Sequence, residues 1–275
     1  MDLRERQMRA GNGAPAGLAA RIRRREPLVG TVVSVPDAAL VELVCERFDF
    51  VWIDLEHGQL GARDAQVMAI AARAAGCAAL VRLPRPDSEL LPALLDAGVD
   101  GVVAPRVDSA ATAARLAGRL RYPPHGSRGV APRRASSYGR VAEPWSTGGR
   151  PACVVQIESA GAVENAASIA AVEGVDALVV GCSDLSLDLG VPGALDSPAL
   201  LGAVRRVERA AAEAQVACGV AAPSATGALA ALVAGGSTLF VYSSDVRIYA
   251  SAVDDAVAGL ARILAEREGR RWRDT

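Results

Sequence analysis

The chain contains no lysine: all 30 of its basic residues are arginine. No side-chain amine is available for a Schiff base, so carbonyl chemistry here must polarise its substrate with a metal, an arginine or hydrogen bonds. Histidine is nearly missing too, with only His57 and His125. The five cysteines, Cys45, Cys77, Cys153, Cys182 and Cys218, include no C-x-x-C pair. That argues against a disulfide framework or a zinc site and fits a reducing compartment. No segment reaches the roughly 18 uninterrupted apolar residues of a membrane span, and Met1 to Arg6 mix charges without an apolar stretch. A soluble, cytoplasmic protein is expected. With a net charge of −1 and 22% charged residues there is no global pull toward nucleic acid or an anionic membrane. The run Arg21, Arg23, Arg24, Arg25 lies next to Glu26 and reads as a solvated helix end. The expected partner is a small molecule.

What is present is an alternation. Short β-branched runs recur between alanine- and leucine-rich amphipathic stretches, as parallel strands covered by helices require. Eight such runs stand out: 29–35, 50–55, 79–83, 101–105, 153–158, 177–181, 217–221 and 238–242. Eight strands close a (β/α)8 TIM barrel, which takes about 250 residues, so a chain of 275 needs only one α/β domain. The expected division is a flexible segment 1–14 and a single barrel over 15–275. Asp87 after Pro86 suits a helix N-cap, Ser197 caps a helix opening on Pro198, and Gly76, Gly98 and Gly235 suit helix ends. From Arg121 to Pro151 proline and glycine forbid a long regular element, so a long loop is expected there.

Polar residues collect where strands end. Glu158 and Asp184 close the fifth and sixth runs, and two strand-end carboxylates at one barrel mouth are oxygen ligands suited to a hard divalent cation. Each also has a plain structural role open to it, Glu158 as an acid at a helix start and Asp184 as a cap. Gln156 lies two residues before Glu158, hence on the same strand face. Arg82 ends the third run and could stabilise an enolate or carboxylate oxygen, or form a salt bridge at the rim. His57, in Asp54-Leu55-Glu56-His57, stands at the mouth, where Asp54 or Glu56 could fix its tautomer for proton transfer. Gly181-Cys182-Ser183 forms a tight turn whose amides could hold a carboxylate, with Cys182 a packing residue. Gly129 after Arg128 is a weaker candidate for close approach to a ligand.

Together, Phe48 to Gly58, Leu80-Val81-Arg82, Tyr122-Pro123-Pro124 with Ser127 to Val130, Gln156-Ile157-Glu158, Ala162 to Asn165 and Asp184-Leu185-Ser186 resemble the HpcH/HpaI aldolase family over about residues 28–191. The resemblance implies a class II, metal-dependent pyruvate aldolase, usually a homohexamer (a trimer of dimers) whose last helix is exchanged between subunits. It implies that Glu158 and Asp184 ligate Mg²⁺ or Mn²⁺, with Co²⁺ a further option, and that Arg82 steadies the enolate oxygen. His57 would assist proton transfer with Asp54 behind it, Gln156 would orient a water at the cation, and Ser183 and Asp184 would border the substrate. The expected reaction is reversible cleavage of a 4-hydroxy-2-oxo acid to pyruvate and an aldehyde.

Three places depart from the family pattern. Cys182 stands where a proline is usual, and Phe240 to Asp245 replaces small, glycine-containing sequence, so Tyr242 would narrow the mouth if it pointed inward. The segment Ala221 to Thr226 is also atypical. These departures keep two alternatives open: decarboxylation or another C–C step on an oxaloacetate-like 2-oxo acid, and a non-catalytic binding or assembly protein on the same fold.

Overall fold

The structure is a computed structural model that describes residues 17–146, 150–223, 230–232 and 235–271, with side chains described to residue 265. The expected flexible segment 1–14 lies outside the described residues, as do Ser224, Ala225 and Thr226. Eight parallel strands form one closed barrel in sequence order. They are β1 (Leu28–Val33), β2 (Phe50–Asp54), β3 (Ala78–Arg82), β4 (Gly101–Ala104), β5 (Ala152–Ile157), β6 (Ala177–Gly181), β7 (Ala217–Ala222) and β8 (Leu239–Ser244). Every run read from the sequence is a strand. Parallel strands covered on both faces must be apolar on both, and β2, β4, β5 and β6 are buried at every position.

The helices used below are α1 (Leu18–Arg23), α2 (Ala38–Cys45), α3 (Ala62–Ala74), α4 (Leu91–Asp96), α5 (Ala110–Leu120), α6 (Ala160–Glu164), α7 (Ala166–Ala170), α8 (Cys182–Asp188), α9 (Pro198–Glu213) and α10 (Asp245–Arg271). Short polar side chains start several of them by accepting a backbone N–H that the helix leaves unpaired. Ser197 accepts from the Leu200 amide at 3.3 Å with Pro198 in the first turn, as expected. Asp37 and Ser159 cap α2 and α6 in the same way. Gly76 and Gly98 follow α3 and α4 with φ of 77° and 76°, a left-handed turn that costs glycine nothing. Asp87 is not a cap: α4 begins only at Leu91, with Leu90 at the N-cap, and the Asp87 carboxylate instead pairs with Arg85 at 3.4 Å. Pro92 in the first turn sets that later start. The helix expected before Gly235 lies partly outside the described residues.

Two apolar clusters divide the interior. Phe50, Trp52, Leu80, Val154, Val179 and Leu239 fill the barrel, and Leu18 and Ile22 of α1 pack into the same cluster beneath the strands' N-terminal ends. The larger cluster lies between strands and helices. With one end plugged by hydrocarbon, polar groups are left to the other, the C-terminal rim. Among its described residues the long loop holds one 3-10 turn, Arg134–Ser136. Arg128 is buried within it, stacked 4.7 Å from the Tyr122 ring and donating to the Leu95 carbonyl at 3.3 Å. Gly129 lines a separate cavity with Leu91, Asp96 and Arg119 and does not border the rim cavity described below.

Candidate active site

At the C-terminal rim the barrel opens into a cavity of about 410 Å³. His57, Arg82, Gln156, Ser183, Asp184 and Asp54 all border it. Register explains the first pairing. Asp54 and Arg82 are direct partners across β2 and β3, so their side chains leave the sheet side by side. The guanidinium grips both carboxylate oxygens, Nε to Oδ1 at 2.8 Å and Nη2 to Oδ2 at 2.6 Å. Burial pushes the Asp54 carboxyl up, but Arg82 outweighs it and holds the acid below its ordinary value. Burial likewise pushes the Arg82 guanidinium down, and Asp54 more than restores it. Both groups are charged and locked.

That lock reassigns Asp54. The family resemblance implied that it stands behind the His57 imidazole, where the residues alone left Asp54 or Glu56 open, yet its oxygens are taken by Arg82 and by the backbone amides of Glu56 and His57, at 3.0 and 3.4 Å. The acid beside the imidazole is Glu56, 3.8 Å from His57 Nε2. Glu56 Oε2 also stands 3.2 Å from Arg82 Nη1 without forming a hydrogen bond. Burial raises its carboxyl despite Arg82. The His57 side chain is 58% exposed at the rim.

The second pairing joins β5 to β6. Gln156 pairs with Val179, so two residues further along each strand Glu158 comes opposite Gly181. A methyl group on Gly181 would stand 2.7 Å from Gln156 Nε2 and 3.0 Å from Glu158 Oε2. The missing side chain is the space in which Gln156 donates its amide to Glu158. Glu158 Oε1 accepts from the Arg106 amide at 2.8 Å, and Arg106 holds a φ of 53° to present it. Burial, then the neighbouring Glu56 and Asp184 carboxylates, push Glu158 up to about 7. Gln156 Oε1 is buried with no hydrogen-bond partner. Asp184, in the first turn of α8, borders both this cavity and an adjoining one lined by Arg106, Asp108 and Glu158.

These features fit a hard cation. Two carboxylates and an orphaned amide oxygen form an all-oxygen donor set, and a divalent ion would favour the ionised form of Glu158 that burial and, after it, the neighbouring carboxylates oppose. Among the described residues no three His, Cys, Asp or Glu side chains form a metal cluster, so the candidate ligands are the carboxylate pair.

Two of the departures from the family pattern, at Tyr242 and Cys182, are placed by the fold. Tyr242 does not border the cavity: Val241 does, while Phe240 packs against the outer cluster. Strand alternation then sends Tyr242 outward, and the feature that favoured a non-catalytic barrel is gone. Cys182 is buried and its thiol is pushed up to about 12 by burial, which leaves it a packing group. Sequence reasoning passed over Arg106, Arg247 and Asp245. Asp245 accepts from the Ser34 and Val35 amides, each at 2.8 Å, and from the Ser34 hydroxyl at 2.9 Å. An acid opening a long helix directly after a strand was the available signal.

A profile of the HpcH/HpaI aldolase/citrate lyase family matches residues 33–252. The chain is 37% identical over 214 residues to a hydroxypyruvate/pyruvate aldolase of Delftia acidovorans, covering 74% of this chain and 77% of the relative. It is 36% identical over 184 residues to a 4-hydroxy-4-methyl-2-oxoglutarate aldolase of Chaetomium globosum, covering 64% and 68%. Among solved structures, an HpcH/HpaI aldolase/citrate lyase family protein from Burkholderia cenocepacia superposes with a TM-score of 0.82 at 32% identity, over 89% of this chain and 98% of the other.

Proposed function

The chain belongs to the HpcH/HpaI aldolase/citrate lyase family, and from that membership we propose that it is a carbon–carbon lyase that reversibly cleaves a 4-hydroxy-2-oxo acid into pyruvate and an aldehyde. The observation that carries the proposal is the pairing at the rim of a locked Arg82 with the crowded, oxygen-rich set of Gln156, Glu158 and Asp184. Glu158 and Asp184 are the residues to hold a divalent cation, Mg²⁺ or Mn²⁺ by donor type, with Co²⁺ a further option. When bound, the cation supplies Lewis-acid stabilisation of the negative charge that develops on the 2-oxo oxygen.

The chain's own residues account for the rest. Ser183 and the first-turn amides of α8 receive the substrate carboxylate. Arg82, fixed by Asp54 and so needing no rearrangement, faces the developing enolate oxygen. Gln156 aligns Glu158 through its amide and keeps one oxygen for water or ligand. His57 accepts the 4-hydroxyl proton, the C3–C4 bond breaks, the electron pair enters the pyruvate enolate and the aldehyde departs. Protonation at C3 gives pyruvate. The reverse sequence forms the bond.

The second copy of the chain is the proposed partner. Val246, Tyr249, Val253, Val257, Leu260, Ile263 and Leu264 of α10 are exposed large hydrophobics, spaced as one helical stripe. Such a stripe supports the self-association expected of the family.

Pyruvate release from 4-hydroxy-2-oxo acids, measured after chelation and again after adding Mg²⁺ or Mn²⁺, tests the proposal. Activity should depend on the added cation and vanish in Glu158→Ala and Asp184→Ala. Full metal-dependent turnover in either variant would refute the ligand assignment. Evolution of CO2 from oxaloacetate without aldehyde-forming activity would move the protein to the decarboxylase class.

A further inference from the structure

The opposite end of the barrel carries a second polar cavity, which the aldolase reading does not use. It encloses about 490 Å³ between α1, the N-terminal ends of β4 and β5, and the loop that follows α5. Five arginines border it: Arg23, Arg73, Arg128, Arg134 and Arg150. The carboxylates that answer them are too few. Buried Asp176 takes both Arg150, at 2.6 Å, and Arg23, at 2.9 Å. Asp100 takes Arg73 at 3.4 Å. Among the described residues Arg134 forms neither an ion pair nor a side-chain hydrogen bond. Two carboxylates against five guanidiniums leave three positive charges uncompensated.

Arg128 is the most telling of them. It is 8% exposed, and among the described residues its guanidinium donates only to the Leu95 carbonyl, while Nε is buried with no hydrogen-bond partner. Asp96 attracts it from the neighbouring cavity without reaching ion-pair distance. Burial pushes this guanidinium down from its ordinary value, the opposite of Arg82, whose carboxylate partner restores it. Stacking on the Tyr122 ring holds the plane of the group in place. A cation taken out of water without a partner costs free energy, and a counter-ion in the adjoining cavity would offset that cost.

We propose that this cavity is a binding site for a phosphate group, carried by inorganic phosphate or by a small phosphate ester. A carboxylate ligand would answer one of the three charges. A phosphate dianion spreads two charges over several oxygens and accepts from more than one guanidinium fork at once. The volume lies in the range of small-molecule sites, roughly 300–1,000 Å³. A nucleic-acid backbone would instead call for a basic stripe across the surface, and this chain has a net charge of −1. The cavity is separate from the rim, because Asp100 and Pro151 precede β4 and β5, whereas Gln156 and Glu158 stand at the far end of β5.

Calorimetry on the full-length protein, titrated separately with inorganic phosphate, glycerol 3-phosphate and acetate, tests the assignment against Arg128→Gln and Arg134→Gln. The wild type should bind both phosphates and hold acetate about tenfold more weakly or worse. Loss of one charge-assisted hydrogen bond predicts a phosphate affinity roughly 10- to 100-fold lower in each variant. Arg134→Lys, which keeps the charge, should recover part of it. Arg134 is half-buried, so its variants should fold as the wild type does even where Arg128→Gln does not. Tighter binding of glycerol 3-phosphate would identify an ester as the ligand and equal binding the free anion, and both outcomes support the site. Unchanged phosphate affinity in either folded glutamine variant would place the anion elsewhere and overturn the proposal. So would acetate binding as tight as phosphate, or no binding of either phosphate to the wild type, since the chain itself or a second copy would then close the cavity.

Discussion

Replacing Glu158 with glutamine should stabilise the metal-stripped protein, and by an amount that depends on pH. Its carboxyl is raised from an ordinary 4.5 to about 7 by burial and by the Glu56 and Asp184 carboxylates. A raised acid favours the fold while it is protonated. The stability it contributes is complete below about 4.5 and is lost as pH rises through about 7. At about 1.4 kcal/mol for each unit of pKa, the charged form costs about 3 kcal/mol at pH 8. Glutamine keeps an oxygen for the Arg106 amide without the charge. Thermal unfolding in EDTA should show Glu158→Gln melting above the wild type at pH 8, by about 6 °C for a chain of this size, and close to it at pH 5. Adding Mg²⁺ or Mn²⁺ at pH 8 should raise the wild type and leave the variant nearly unchanged. A variant no more stable than the wild type at pH 8, or equally stabilised at both pH values, would show that Glu158 does not lie in an uncompensated acidic cluster. The carboxylate would then be an ordinary helix-end acid.

Gly181→Ala should fold but lose activity on the order of 100-fold, because its methyl group would fall 2.7 Å from Gln156 Nε2 and displace the pair with Glu158; overpacking costs roughly 1–3 kcal/mol, readable as a lower Tm. Asp54→Asn removes one partner of a buried ion pair and leaves Arg82 only Glu56 at 3.2 Å. The destabilisation should fall near the lower end of roughly 3–5 kcal/mol, with kcat falling more than KM rises if Arg82 acts on the enolate. Val257→Asp combined with Leu260→Asp should reduce the mass found by sedimentation, and an unchanged mass would remove α10 as the association surface.

The barrel was legible because its physics is local. A parallel strand covered on both sides must be an uninterrupted apolar run, and a helix beside it must be amphipathic, so eight alternations could be counted along the chain. Asp87 failed as a cap because proline at position 92, not the nearest polar side chain, sets where α4 can begin. The site residues were legible for a related reason: a charged or amide side chain at the end of such a run has nowhere to go but the rim. Their partnerships were not. Asp54 stands only three residues before His57, yet the alignment of β2 with β3 gives it to Arg82. Whether Tyr242 or Val241 enters the mouth depended on the phase of β8, which alternation alone leaves ambiguous by one residue.

By itself the sequence determined that no lysine could serve as a Schiff base, that eight buried strands would close around one core, and that Glu158, Asp184, Gln156, Arg82 and His57 would stand at strand ends. Tertiary structure alone decided which groups meet: Arg82 with Asp54 across two strands, Glu158 in the gap left by Gly181, and Asp245 of the last helix with the Ser34 and Val35 amides beside the first strand. The division has one cause. Burial and periodicity act on residues close along the chain, whereas charge pairing acts through space, on partners that only barrel closure brings together.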